Sequence, residues 1–440
     1  MENKKSKQIE LELELPDVEV LGLERGRDGS YEIRIASTKE GTECHKCGRV
    51  IKKYHGKDRV VKIRHLPILG HACYLKIEPR RYICQACSGG DGVKRVTTTE
   101  RLDWFNSKNS VSCAYEERIL LALVNSTVQD VSQKEGIGYG VVLGVLKGRI
   151  AREVEWGEIE SLGIIGIDEI ALRKGHKNFV TIVTSQQANG DIILLAVLED
   201  RSKASVSNFF ASIPCHLQLT IDTVCSDMWQ GYINSAYEVF QPEQICTKSE
   251  SEKGIRVQKV AVVVDRFHVA KKYRECLDKL RKKVMRRLKN ELSAKEYKEF
   301  KGVHWLLRRH PDELKPHEKE ILDSLFKVAP ELQKAYQFAT QLTRIFDTHQ
   351  SPQLAQKRLN SWIRRVQRRG CTCFDSFITT LNNFFQEIVN YFQQRLTSGF
   401  VEGLNNKIKV LKRRCYGLLD TKSLFRRISL DLNGYRLFKA

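Results

Sequence analysis

Residues 162–169 read Leu-Gly-Ile-Ile-Gly-Ile-Asp-Glu. An apolar run this short, closed by an acid, predicts a buried strand with Asp168 at its end. Two β-rich runs follow, Phe179–Thr184 and Ile192–Leu198, and the Gln-Gln-Ala-Asn-Gly-Asp turn between them predicts a hairpin. Lys203–Ile213 has helical spacing. Leu217–Cys225 predicts a fourth strand, with Asp227 just beyond it. Trp229–Phe240 predicts a helix, and Val260–Val264 a fifth strand ending in Asp265.

Three strands in hairpin order, then helix, strand, helix and strand, is the order of an RNase H-like α/β domain. Residues 160–266 are expected to be the first part of that core. Residues 267–395 have little strand pattern and are rich in Lys, Arg, Leu and Gln at helical spacing, which predicts a large helical insertion. Residues 396–440 are expected to return as C-terminal helices of the core, the last over 421–438.

Upstream, residues 10–36 alternate apolar and polar (Leu11, Leu13, Leu15; then Tyr31, Ile33, Ile35), which reads as strands. A helix is expected over 114–124. Ser126–Ile150 reads as helix–turn–helix: Val128 and Val131 on a first helix, Gly136-Ile-Gly138 as the turn, Val141, Val142 and Val145 on a second. The alternative is a plain helical linker. The expected domains are thus 1–95, strands and a zinc ribbon, and 110–155, a helix-turn-helix DNA-binding domain, ahead of the core.

The zinc expectation rests on Cys44-His-Lys-Cys47 and Cys84-Gln-Ala-Cys87, two matched knuckles with Gly48 after the first. Each supplies two thiolates to one tetrahedral zinc, and the strand-like segment between them (Leu75–Ile77, Arg81–Ile83) folds as a small β unit. Four thiolates leave no open coordination position, so this zinc is structural.

Charge separates the halves of the chain. The net charge is +21, yet residues 251–440 hold 41 Lys and Arg against 19 Asp and Glu, while residues 1–250 are nearly balanced. Such a footprint favours a polyanion, with nucleic acid the first candidate. No apolar run approaches the roughly 18 residues of a membrane span, and the N-terminus lacks a signal-peptide pattern. Thirteen scattered cysteines fit a reducing cytosol, so a cytoplasmic protein is expected.

Residues 401–414, Val-Glu-Gly-Leu-Asn-Asn-Lys-Ile-Lys-Val-Leu-Lys-Arg-Arg, place one carboxylate, Glu402, at the head of a helix with five cations. Leu404, Ile408, Leu411 and Cys415 form an apolar stripe, with Glu402, Asn405, Lys409 and Arg413 on a neighbouring face. A metal ligand beside a nucleic-acid backbone is one reading. A solvated basic helix with an acid suited to its dipole is the other. Lys407, Lys409, Lys412, Arg413 and Arg414 are the phosphate candidates, followed by Arg281-Lys-Lys283 and Arg286-Arg287.

Asp168, Asp227 and Glu402 stand where an RNase H-like site needs acids. In-line displacement at a phosphodiester uses a pair of divalent ions about 3.5–4 Å apart, and magnesium prefers carboxylate oxygens. Strand alternation turns Glu169 to the other face, and Asp222 lies within the strand. Asp265-Arg-Phe-His268 is either a supporting pair beside the site or a helix N-cap with an exposed His268. His176 is assigned no chemistry.

Gly166-Ile-Asp-Glu-Ile-Ala-Leu-Arg-Lys-Gly-His176, Cys225-Ser-Asp-Met-Trp-Gln-Gly-Tyr232, Asp265-Arg-Phe-His268 and Gly399-Phe-Val-Glu-Gly-Leu-Asn-Asn-Lys-Ile-Lys409 resemble the signature blocks of the ISL-three family of bacterial insertion-sequence transposases. The cysteine knuckles, with Arg64-His-Leu-Pro67 and Arg80-Arg81 between them, resemble its zinc-ribbon module. One departure is Ser398, where the family often has Asn. The resemblance implies a DDE transposase with Asp168, Asp227 and Glu402 as ligands of two magnesium (or manganese) ions. It also implies a helical insertion between the second Asp and the Glu, and Asp265 and His268 near the site. The partners would be double-stranded DNA, as terminal inverted repeats and target, and further copies of the chain, in a dimer or higher complex. The residues alone leave open a DNA-binding regulator, indifferent to Glu402, and a host nuclease that cuts without joining.

Overall fold

β-branched and apolar side chains fill both faces of the central strands, so these strands are buried under helices rather than left facing water. The structure is a computed structural model and describes residues 13–88, 95–106, 109–172, 179–240, 260–396, 399–415 and 420–438. The chain divides into two compact units, residues 1–151 with 429–440, and residues 152–428. Residues 396–440 are thus shared between the units.

In the first unit, β1 (Val18–Arg25), β2 (Tyr31–Ser37), β6 (Val61–Ile68) and β7 (His71–Ile77) form a sheet in the order β1-β2-β7-β6. Leu13 and Leu15 pack on its core but lie outside any strand, so the first strand starts later than the alternation predicted; Leu11 is outside the described residues. A two-stranded hairpin, β3 (Thr42–Glu43) and β4 (Val50–Ile51), carries the first cysteine knuckle. A three-stranded sheet of β5 (Tyr54–Lys57), β8 (Arg80–Ile83) and β9 (Thr97–Thr99) carries the second.

Helix α1 (Cys113–Leu123) precedes α2 (Val128–Glu135) and α3 (Tyr139–Arg149). Thr127 caps α2, accepting from the Asp130 N–H at 3.0 Å. Gly136 ends it at φ 62°, a left-handed turn that glycine adopts without strain. Val131, Val142 and Val145 are buried together against α1, so α2 and α3 form a packed helix–turn–helix rather than a linker. Leu430 of the last helix joins this core, and Asp431 accepts from the Asn125 N–H at 3.1 Å.

The second unit has mixed α/β content. Its sheet runs β12-β11-β10-β13-β14, from β10 (Gly163–Ala171), β11 (Phe179–Gln186), β12 (Ile192–Leu198), β13 (Ile221–Ser226) and β14 (Ala261–Val264). The first three pair antiparallel; β13 and β14 run parallel to β10. Helices α4 (Lys203–Ser212), α5 (Cys215–Gln218) and α6 (Gln230–Val239) connect them. Two strand expectations change. Leu217 belongs to α5, a turn begun at Pro214, and β13 starts only at Ile221. β10 runs through Asp168 to Ala171, because β11 stays paired with it over its whole length.

Residues 266–394 are helical as expected: α7 (Arg266–Glu291), α8 (Ala294–Glu299), α9 (Val303–Leu306), α10 (Pro316–Val328), α11 (Pro330–Asp347), α12 (Pro352–Arg368), α13 (Asp375–Asn383) and α14 (Phe385–Gln394). Trp362, Phe374 and Phe377 are fully buried among them and stack edge to face. Helices α15 (Gly399–Arg414) and α16 (Thr421–Phe438) close the chain. Among the described residues no helix is long and apolar enough to cross a membrane.

Candidate active site and zinc centre

Strand register brings three acids into one row. β10 pairs with β13 up to Gly166 opposite Cys225, and β13 with β14 up to Ser226 opposite Val264. Carrying those registers forward sets Asp168, Asp227 and Asp265 side by side, past the carboxyl ends of β13 and β14. The Asp265 N–H extends the ladder to the Ser226 carbonyl at 3.0 Å. Open α/β sheets bind ligands at this end of their parallel strands.

Burial raises the carboxyl of Asp168 above its ordinary range. Asp227 is pushed up to about 6, first by burial and then by the neighbouring charges of Glu169 and Asp168, with His268 acting against them. Asp265 is buried and caps α7, its Oδ1 accepting from the Phe267 N–H at 3.0 Å. His268, half-buried in the first turn, sits close enough to favour the charged forms of both Asp168 and Asp227. The cap thus coexists with a position of His268 near Asp168 and Asp227. Glu169 is held by the Tyr232 hydroxyl at 3.1 Å and Arg201 at 3.4 Å, but its charge still acts on Asp227, so strand alternation does not remove it from the surroundings of the acids.

The start of α15 sits directly on β10. A Cβ on Gly166 would lie 2.3 Å from Val401 Cγ2 and 2.8 Å from the Phe400 ring, so glycine is what admits the helix. Two residues along β10, Asp168 Oδ2 accepts from Asn405 Nδ2 at 2.5 Å. Asn405 is buried, on the apolar side of the helix rather than on a flank shared with Glu402. Sequence reasoning did not select it as a site residue; its signal is an amide directly after the buried Leu404 and three residues before the buried Ile408.

Glu402 is exposed. It does not join Asp168 and Asp227 in a cluster with all ligand atoms within 4.8 Å, a condition met among the described residues only by the cysteine quartet. Among the described residues, Asp227 Oδ1 and Asn405 Oδ1 are both buried with no hydrogen-bond partner. Leaving such an oxygen unsatisfied costs about 1–3 kcal/mol. Carboxylate and amide oxygens of this kind suit a hard cation such as magnesium.

The basic residues of α15 differ in role. Lys412 donates to the Ala171 carbonyl at the end of β10, and burial lowers its pKa. Lys407 and Arg414 are half-buried. Lys409 and Arg413 are exposed, Lys409 reaching Asn406 Oδ1 at 3.4 Å. His176 and Ser398 lie outside the described residues.

Cys44, Cys47, Cys84 and Cys87 converge, with Cys47 and Cys84 Sγ 3.7 Å apart. Sulfurs bound at ~2.3 Å to one tetrahedral zinc are about 3.8 Å apart. The backbone N–H groups of Cys47 and Lys46 point at Cys44 and hold its thiol down to about 6. Its thiolate is therefore ready for a metal at neutral pH.

A family model described as "Transposase", of the DDE type and named for ISL3, matches residues 165–247 and 255–428. A second, described as the zinc-finger of transposase IS204/IS1001/IS1096/IS1165, matches residues 40–87. The transposase for insertion sequence element IS1001 of Bordetella parapertussis is 28% identical over 409 residues, 92% of each chain. The transposase for IS1557 of Mycobacterium tuberculosis is 22% identical, over 89% of this chain and 86% of that one. A chain of the Drosophila P element transposase strand transfer complex covers 76% of this chain and 93% of its own at a TM-score of 0.38 and 11% identity, too remote to inform the site. The chain belongs to the ISL3 family of DDE transposases, enzymes that cut DNA and transfer its strands.

Proposed function

We propose that this chain mobilises a bacterial insertion sequence: it binds the terminal inverted repeats, cleaves DNA at the element ends and joins the freed 3′ ends to target DNA. The observation that carries the reading is the row of Asp168 and Asp227 with α15 anchored beside it through Gly166 and Val401. A five-stranded sheet with three antiparallel and then two parallel strands supports an RNase H-like core.

In this reading Asp168, Asp227 and Glu402 hold the divalent ions, magnesium or manganese. Glu402 follows Val401, whose side chain rests on Gly166, so the turn that carries it is fixed next to β10. When bound, the ions supply a nucleophile at neutral pH and stabilisation of the leaving oxygen. Asn405 orients Asp168. Asp265 sets the start of α7 and so the position of His268, whose ring would donate to a phosphate oxygen held at the acids. Lys409 and Arg413 face the backbone, giving affinity and salt dependence without sequence reading. The zinc ribbon and helix–turn–helix read the repeats. Pairing two ends calls for a dimer or larger complex, assembled on cytoplasmic DNA.

A strand-transfer assay with the element's own terminal repeats tests this. The native chain should cut and join them with magnesium, and Glu402→Gln should bind them without cutting. Joining by that variant would remove Glu402 from the site.

A further inference from the structure

The helical segment forms a cavity of about 430 Å³ between α7, the loop after α9 and α11. Its lining carries Arg266, Arg274, Arg308, Arg309, Arg344 and His310. Only two acids, Glu313 and Asp347, line it with them. Asp347 is engaged by Arg266, and Arg309 pairs with Glu318. Arg344 reaches Asp312 only at 3.8 Å and donates to His310 Nε2 at 3.0 Å. Among the described residues no carboxylate pairs with Arg274 or Arg308, and Arg308 lies over the Trp305 ring at 5.4 Å. A convex basic face would simply be solvated. Here Arg274 and Arg308, both exposed, line the same concavity as the paired arginines, and an anion entering it would offset their positive charge.

Arginine forks match phosphate oxygens two at a time. The cavity also begins beside the acid row, because Arg266 directly follows Asp265. From Arg266 to Arg274 the helix rises about 12 Å, the axial span of roughly three to four phosphates of one DNA strand. We propose that this pocket is a second phosphate site, which grips the DNA backbone adjoining the phosphodiester held at Asp168 and Asp227. The proposal rests on the reading of the chain as a DNA-cutting enzyme.

The test is a salt titration of binding between the full-length protein and a fluorescein-labelled duplex, from 50 to 200 mM NaCl. Replacing Arg274 and Arg308 together by Ala should weaken binding and flatten the slope of log K against log salt by about 2. Zinc content and the melting profile should stay unchanged. Arg274→Lys with Arg308→Lys should restore most of the slope. A native chain that binds DNA, with an alanine double variant of equal slope and affinity, would overturn the pocket alone. A native chain with no affinity for DNA would overturn both readings. Titration with ATP and with pyrophosphate separates the remaining source of phosphate. If either binds and the double variant abolishes that binding without altering the DNA slope, the site serves a free nucleotide and the DNA assignment falls.

Discussion

Asn405 Nδ2 donates to Asp168 Oδ2 at 2.5 Å, across 237 residues of chain. The bond joins the last region of the second unit to its first strand and leaves the other amide oxygen buried and, among the described residues, unpartnered. Asn405→Ala should therefore lower stability by about 1–3 kcal/mol. We expect it to weaken manganese binding and cut cleavage at least tenfold, while DNA affinity holds. Calorimetric titration with manganese alone checks the positioning role; native metal affinity in the variant would exclude it.

Gly166 is the contact through which α15 reaches β10. Gly166→Ala overpacks that contact, at a cost of about 1–3 kcal/mol, and should depress cleavage more than stability by displacing the turn that bears Glu402. Val401→Ala in the same chain makes room for the new methyl. A double-mutant cycle on melting temperature and cleavage should show favourable coupling. Additive losses would mean that the close approach does not position the helix.

Asp227 makes metal-free stability depend on pH in a particular direction. Its carboxyl is raised to about 6 in the folded chain, against about 3.9 when unfolded. Between those values the native state holds the extra proton, so this group's contribution falls as pH rises from about 4 to about 6. Asp227→Asn removes the effect. Melting curves of both proteins in chelator should diverge across that window, the variant gaining relative to the native chain. Added magnesium should stabilise the native chain chiefly above pH 6. A difference between the two that is flat with pH would contradict the burial argument.

Zinc removal should affect the ribbon. Cys84→Ser opens the thiolate quartet, so zinc measured by atomic absorption should drop and residues 40–90 should become protease-sensitive. The Cys44 thiol is held down to about 6 but its neighbours push Cys87 up to about 12, so protons should compete for the site across that whole range and zinc affinity should rise with pH. Full zinc occupancy in the variant would refute a four-cysteine site.

The zinc ligands were legible from two local spacings, since each knuckle is a short-range chelate. The order of strands and helices was legible too, because β-branched runs, turns and helical periodicity are local. Even so, periodicity misplaced Leu217, an apolar residue in a turn started by Pro214. It also ended β10 at Asp168, where pairing with β11 carries the strand on to Ala171.

Sequence by itself determined that Asp227 and Asp265 directly follow strands, which cysteines come together, and where the positive charge collects. Tertiary structure alone decided that Asp265 shares a row with Asp168 and Asp227, because the row is set by parallel register between distant strands. It also decided that Asn405 faces inward, that Glu402 is exposed, and that Lys412 is committed to the Ala171 carbonyl. Helical periodicity identifies an apolar stripe, but the polar residues that border it are sorted by the surface against which the helix packs. For α15 that surface is β10, opened to it by the absence of a side chain at Gly166.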